Sequence, residues 1–207
     1  MSNLQPPPTM AIDRIKALTD GVLAIVLTIL VLGFEVPEHE FSESGVIGFL
    51  IKMREPLLAY TVSFGIVAAY WVQHAAIFRF LKVGNRPLVW MNFLFMLPLT
   101  LLPFLTDLRA EYHAEYRVTA LYAIGNIFIG LTLLVMWRYA VSRKLTVSLP
   151  REVSVSMQRR ILLGIGINAL GAAVAPIDVH LSAVCFLALP VIYFRHTVVD
   201  RVSDGGE

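Results

Sequence analysis

The strongest constraint on this chain is a set of long runs with no acidic or basic residue. Residues 57–78, 87–106 and 118–137 contain no Asp, Glu, Lys or Arg at all. A helix needs about 20 mostly apolar residues to cross a bilayer core of roughly 30 Å, and each of these runs suffices. A fourth run, 17–34, is interrupted only by Asp20. The last apolar block, 161–194, is too long for one crossing and is broken by Pro176-Ile177-Asp178, followed by His180. That sequence reads as a tight turn between two antiparallel helices. The pattern therefore predicts an all-α membrane protein of six transmembrane helices. Composition agrees: 57% of the 207 residues are hydrophobic and 15% charged, against about 45–50% and about 25% in soluble domains. Disorder, a coiled coil and an ordinary soluble enzyme are excluded. The single cysteine, Cys185, forms no internal disulfide, and a net charge of +2 gives no reason to expect a nucleic-acid partner.

Orientation follows from the basic residues. With the N-terminus inside, the inner segments carry thirteen of them: Arg14, Lys16, Arg79, Lys82, Arg86, Arg138, Arg143, Lys144, Arg151, Arg159, Arg160, Arg195 and Arg201. The outer segments keep four, Lys52, Arg54, Arg109 and Arg117. This bias places both termini in the cytoplasm. Trp71, Trp90 and Trp137 then fall toward the inner ends of their helices, as an interfacial belt would place them. Residues 1–10, with Gln5-Pro6-Pro7-Pro8, read as a disordered polar leader. Residues 11–197 form one six-helix domain, and 198–207 a short cytoplasmic tail. Helix 1 is longer than a signal-peptide core and lacks a small-x-small cleavage site. Glu35, Glu38, Glu40 and Glu43 make the first outer loop acidic, which serves either solubility or a weak attraction for cations.

Soluble-enzyme signatures are missing: no GxGxxG, Walker A, HExxH or GxSxG occurs. The histidines are scattered, and only His74 lies within a span, so no metal site is expected. What remains is a small polar set inside the membrane, where such residues usually face the bundle interior or water. Asp20 has Lys16 one turn before it as a simple partner. By helical geometry Arg14, Leu18, Ile25, Thr28, Ile29 and Leu32 share one stripe, and Asp20 lies about 140° away from it. That stripe contacts either lipid or another helix. Asp20, His74, Trp90 and Asn92 fall at similar depth, so a hydrogen-bonded cluster joining helices 1 to 3 is reasonable. Gly164, Gly166, Asn168 and Gly171 make helix 5 a close-packing face.

The segment Arg14-Ile-Lys-Ala-Leu18-Thr19-Asp20 resembles the arginine-x-x-x-phenylalanine-serine-aspartate signature of the transmembrane protein 175 potassium-channel family. Its continuation through Leu32 to Val36-Pro37 is similar as well. Trp71-Val72-Gln73-His74, Leu88-Val89-Trp90-Met91-Asn92 and Leu101-Leu102-Pro103-Phe104 resemble the family's helices 2 and 3. Leu18 and Thr19 stand where the signature has phenylalanine and serine, and Ala75 stands where many members have a second histidine. The hydroxyl survives at Thr19.

The resemblance implies a prokaryotic, multi-pass protein of the inner (plasma) membrane, assembled as a homotetramer with no TVGYG filter. Four copies of helix 1 would line a central pore for potassium ions, with no cofactor. The constriction falls at Ile25, with Thr28 as the nearby hydroxyl and Ile29 and Leu32 above. Arg14, Thr19 and Asp20 would be structural, supported by His74, Trp90 and Asn92. Isoleucine cannot coordinate a cation, so a ring of Ile25 would close by excluding water. The rival reading is a proton-coupled secondary transporter relaying protons through Asp20 and His74. An accessory subunit without transport is a third, and a membrane enzyme comes last.

Overall fold

The computed structural model describes residues 12–34 and 41–194. The polar leader, the C-terminal tail, and Glu35, Glu38 and Glu40 lie outside the described residues, as does the side chain of Glu43. The described chain is helical: α1 (Ile12–Ile29), α2 (Phe41–Lys52), α3 (Arg54–Arg79), α4 (Arg86–Thr100), α5 (Leu102–Glu111), α6 (Tyr116–Ser142), α7 (Arg151–Val174) and α8 (Val179–Phe194). A 3₁₀ turn, Leu30–Gly33, extends α1. Four stretches are long and apolar enough to cross a membrane: Ile12–Gly33, Arg54–Arg79, Arg86–Glu111 and Tyr116–Ser142. α7 carries Arg151, Glu152, Arg159 and Arg160 in its first three turns, and α8 is a shorter apolar helix. The protein is thus a multi-pass helical membrane protein.

Several elements differ from the sequence reading. The segment between the first two spans holds a helix of its own, α2, broken at Gly45, whose φ of 61° no L-residue adopts easily. The third apolar run is not one rod. Pro103 lacks the N–H that would continue the ladder, and the helix breaks at Leu101 into α4 and α5. α4 starts cleanly because the Asn85 side chain accepts from the Leu88 N–H, with Pro87 in the first turn.

α6 is the hub of the bundle, packing on α4, α5 and α7, while α8 fills the space between α3 and α7. At the basic end, the loops after α3 and α6 are pinned by a short antiparallel pairing. Lys82 N–H donates to the Leu145 carbonyl at 2.9 Å, and Val147 N–H to the Phe80 carbonyl at 2.9 Å. Trp137 is not part of an interfacial belt. It is fully buried, edge-on to Phe80, and donates to the Ser154 carbonyl.

The turn foreseen at 176–178 is present, and the Asp178 carboxylate accepts from the N–H groups of His180 and Leu181 at 2.8 and 3.1 Å, capping α8. These two donors hold its carboxyl below the ordinary carboxylate range. The packing face of α7 consists of Gly164, Asn168 and Gly171. A Cβ on Gly164 would meet the Tyr193 hydroxyl at 2.7 Å, and one on Gly171 would collide with the Phe186 ring. Gly166, which the sequence pattern groups with them, lies on the opposite face, where a Cβ would meet nothing within 4 Å. It is two residues from Gly164, and positions two apart on a helix do not share a face.

Candidate functional site

α1 is a two-faced helix. Ile15, Thr19, Leu23 and Val26, continued by Leu30, are buried at i, i+4, i+8, i+11 and i+15, the period of a helix seated on a bundle. They rest on α3 and α4. The other face is bare. Leu18, Ile25, Ile29 and Leu32 are exposed, Ile25 at 59% and Leu32 at 75%, and Arg14 and Thr28 lie exposed on the same side. In its most apolar window only 28% of α1 is buried, against 56%, 44% and 50% for the other three spans. None of the other three spans among the described residues is so thinly covered by the rest of the chain. The Thr28 hydroxyl donates back to the Ile25 carbonyl at 2.8 Å. Its proton is therefore committed to the helix while its oxygen lone pairs stay open to the exposed side. Arg14 has no partner among the described residues.

Behind the bare stripe lies a polar seam. Asn92 on α4 sits at its centre: its amide nitrogen donates to the Thr19 hydroxyl at 2.7 Å, and its carbonyl pairs with His74 Nε2 at 2.9 Å. Since the Asn92 oxygen only accepts, that pairing puts the ring proton on Nε2. The Thr19 hydroxyl in turn donates to the Ile15 carbonyl at 3.1 Å, with the Met96 sulfur at 3.8 Å. Thr19, His74 and Asn92 are all buried. The imidazole is stacked between Phe78 and Phe95, with ring centroids at 4.2 and 5.2 Å. A little to one side, Trp71 Nε1 donates to Asp20 Oδ1 at 3.0 Å, so α1 is tied to both α3 and α4. The structure thus brings Thr19, Asp20, His74 and Asn92 to one seam and sends Ile25, Thr28, Ile29 and Leu32 to the opposite face.

Two expectations fail here. Trp90 does not join the cluster: it is 65% exposed and lines a surface hollow of about 460 Å³ with Arg86. Trp90 lies two residues before Asn92, so it projects from a different side of α4 and Trp71 supplies the indole instead. Asp20 does not pair with Lys16; its bound donor is the Trp71 indole.

Sequence reading also missed a second buried polar group, nearer the opposite end. The Thr106 hydroxyl donates to Ser63 Oγ at 2.8 Å, and Ser63 shares a 2.8 Å hydrogen bond with the Tyr122 hydroxyl. Beside it Arg109, which the charge bias puts in an outer segment, is only 7% exposed. Its guanidinium lies 5.6 Å from the Tyr122 ring centroid and 5.7 Å from that of Phe186. The available signal was spacing, since Thr106 and Arg109 fall at i and i+3 and must share a face.

These features define a class: a multi-pass helical bundle whose first span is fastened from behind by polar bonds and left open in front. A family model described as endosomal/lysosomal potassium channel TMEM175 matches residues 14–103, which hold α1 from Arg14 onward and the whole seam. The protein named potassium channel Cha6605_3372 of Chamaesiphon minutus is 32% identical over 199 residues, covering 92% of this chain and 97% of its own. Potassium channel HX13_20290 of a Chryseobacterium species is 36% identical over 118 residues, covering 57% and 59%. Among solved structures, the fold superposes on the lysosomal potassium-selective channel TMEM175 homolog from Chamaesiphon minutus. The TM-score is 0.78 at 27% identity, covering 88% of this chain and 95% of that one. The chain belongs to the TMEM175 family, a family of channels rather than enzymes.

Proposed function

We propose that this chain is the subunit of a potassium-permeable channel in the plasma membrane, a homotetramer in which four copies of α1 surround the ion path. In this reading α7 and α8 cross the membrane together with the four longer spans, and both termini lie in the cytoplasm. The observation that carries it is the bare stripe on α1. A helix with 28% of its apolar window buried, seated on its own bundle through hydrogen bonds, presents Ile25, Thr28, Ile29 and Leu32 outward at a constant angle. Facing copies of such a stripe form stacked rings. The Ile25 and Ile29 rings are apolar, so when narrow they close by expelling water rather than by charge. Opening requires α1 to rotate or tilt until partly hydrated ions pass. Thr28 places one oxygen per subunit between those rings, its proton already donated to Ile25, and so offers lone pairs to a cation. No TVGYG filter takes part, which makes selectivity a matter of ring width and the Thr28 oxygens.

Arg14 has no partner among the described residues, and in this reading the bracing it provides acts between subunits. A proton-coupled carrier gains no support from the seam. Asp20 is bound to Trp71 and His74 to Asn92, each on its own partner, with His74 sealed between aromatic rings.

The test is current across a planar bilayer holding the purified protein, with potassium on one side and sodium on the other. The reading requires a reversal potential displaced toward potassium. Ile25→Asn should raise leak and shrink that displacement. Currents unchanged by Ile25→Asn would remove Ile25 from the constriction, and no current from protein verified as tetrameric would overturn the pore.

A further inference from the structure

The face of α7 turned away from the bundle carries a furrow on the side opposite its packing residues. The other face of α7 is committed, with Val153, Met157, Ile161, Gly164 and Gly171 buried. Outward, Arg151, Glu152, Ser156 and Arg159 line a hollow of about 500 Å³. Arg159, Leu162, Gly166 and Leu170 line a second of about 510 Å³. Arg159 borders both, so the two make one furrow that is charged at its beginning and apolar beyond.

Two neighbouring arginines are treated in opposite ways. Arg160 turns inward, donates from Nη2 to the Tyr193 carbonyl at 2.8 Å, and lies 4.8 Å from the Tyr193 ring centroid. Arg159 is exposed and has no hydrogen bond or ion pair among the described residues. Gly166 forms the floor of the apolar part, where a Cβ would meet open space. From Arg159 to Leu170 the helix rises about 16 Å, the depth of one leaflet of a hydrocarbon core of roughly 30 Å.

We propose that this furrow holds an anionic phospholipid. Its phosphate lies on Arg159 and Arg151, the Ser156 hydroxyl is a further donor, and an acyl chain runs down the trough over Gly166. A planar guanidinium matches phosphate oxygens in pairs, and a chain of CH₂ groups fills a groove that has no polar side chain beyond Arg159. Glu152 subtracts from the attraction, so the furrow carries a net charge of one from two arginines and one glutamate. The inference requires α7 to cross the membrane with its basic end at the headgroups; it does not require a pore.

The test is native mass spectrometry of the purified protein in detergent with equal amounts of phosphatidylglycerol and phosphatidylcholine of the same acyl chains. One net basic charge near an anionic headgroup strengthens association about fivefold, so phosphatidylglycerol should be retained about fivefold over phosphatidylcholine. Arg159→Gln should bring the two to parity. Glu152→Gln should raise the preference to about 25-fold, a gain that misfolding cannot imitate. Gly166→Leu, which has room for its side chain, should lower retention of both lipids. Equal retention by the unaltered protein would overturn the proposal, as would a preference that survives Arg159→Gln. Because lipid mass is read and not current, a protein that failed to conduct would still give the answer.

Discussion

The seam behind α1 should be measurable as a coupling energy between Thr19 and Asn92. Their hydrogen bond, 2.7 Å long, is fully buried, and Asn92 has His74 on its other side at 2.9 Å. Interhelical hydrogen bonds in membrane proteins average about 0.6 kcal/mol and reach about 1.7, while orphaning a buried donor costs about 1–3 kcal/mol. Thr19→Val leaves the Asn92 amide nitrogen without an acceptor and should cost about 1–2 kcal/mol. Asn92→Leu removes both bonds and strands His74 Nε2, so about 2–4 kcal/mol is expected. Made together, the two changes should cost less than their sum by about 1 kcal/mol, because the shared bond is lost only once. Ser63→Ala serves as the control. Ser63 lies eleven residues from His74 on α3, about 16 Å along the axis, and should add to Thr19→Val within about 0.5 kcal/mol. Reversible unfolding in mixed detergent micelles, followed by tryptophan fluorescence, reads all of these values. A coupling below about 0.3 kcal/mol between Thr19 and Asn92, in protein of normal helicity, would refute the view that this bond fastens α1.

Trp71→Phe removes the donor to Asp20 and should cost about 1 kcal/mol, whereas Trp90→Phe, on an exposed side chain, should stay within about 0.5 kcal/mol; the same unfolding assay compares them. Gly171→Leu drives a side chain into the Phe186 ring and should destabilise by about 1–3 kcal/mol or more, while Gly166→Leu should cost little. Native-state amide exchange at His180 and Leu181 tests the Asp178 cap. Its folded carboxyl titrates below its ordinary value, so the cap is complete above the ordinary carboxylate range and fades as pH falls through the lowered value. Protection of the two amides should drop in acid and become insensitive to pH in Asp178→Asn, which keeps an oxygen acceptor without the titration.

Much of the fold was legible because lipid demands long apolar runs. The charge-free stretches became α3, α4 with α5, and α6, and the single interruption at Asp20 became the tie to Trp71. The two faces of α1 followed from angular spacing alone, since Thr19 and Ile25 lie about 120° apart at 3.6 residues per turn. Periodicity failed where nearly every position is apolar. It could not tell that Trp137 is core and Trp90 is surface, since both are indoles near a helix end. Nor could it see α2, whose Val46, Ile47, Leu50 and Ile51 follow a stretch of acidic residues. The burial of Arg109 was not legible because a lone arginine near the end of a span usually reaches for the interface, and only three-dimensional packing shows it covered by Tyr122 and Phe186. The break at Leu101 could have been foreseen, because Pro103 was in plain view and its missing N–H has a predictable effect.

The pairing of residues 80–82 with 145–147 divides the bundle mechanically. It clasps the α3–α4 corner to the α6–α7 corner, so that the hairpins on either side behave as one chassis at the basic end. Among the described residues α1 is outside the clasp and is held by side chains, through the hydrogen bonds of Thr19 and Asp20 and the apolar seat of Ile15, Leu23, Val26 and Leu30. Loads applied to the molecule should therefore divide unequally: the clasped corners resist shear through backbone bonds, while α1, seated through side chains, should yield first.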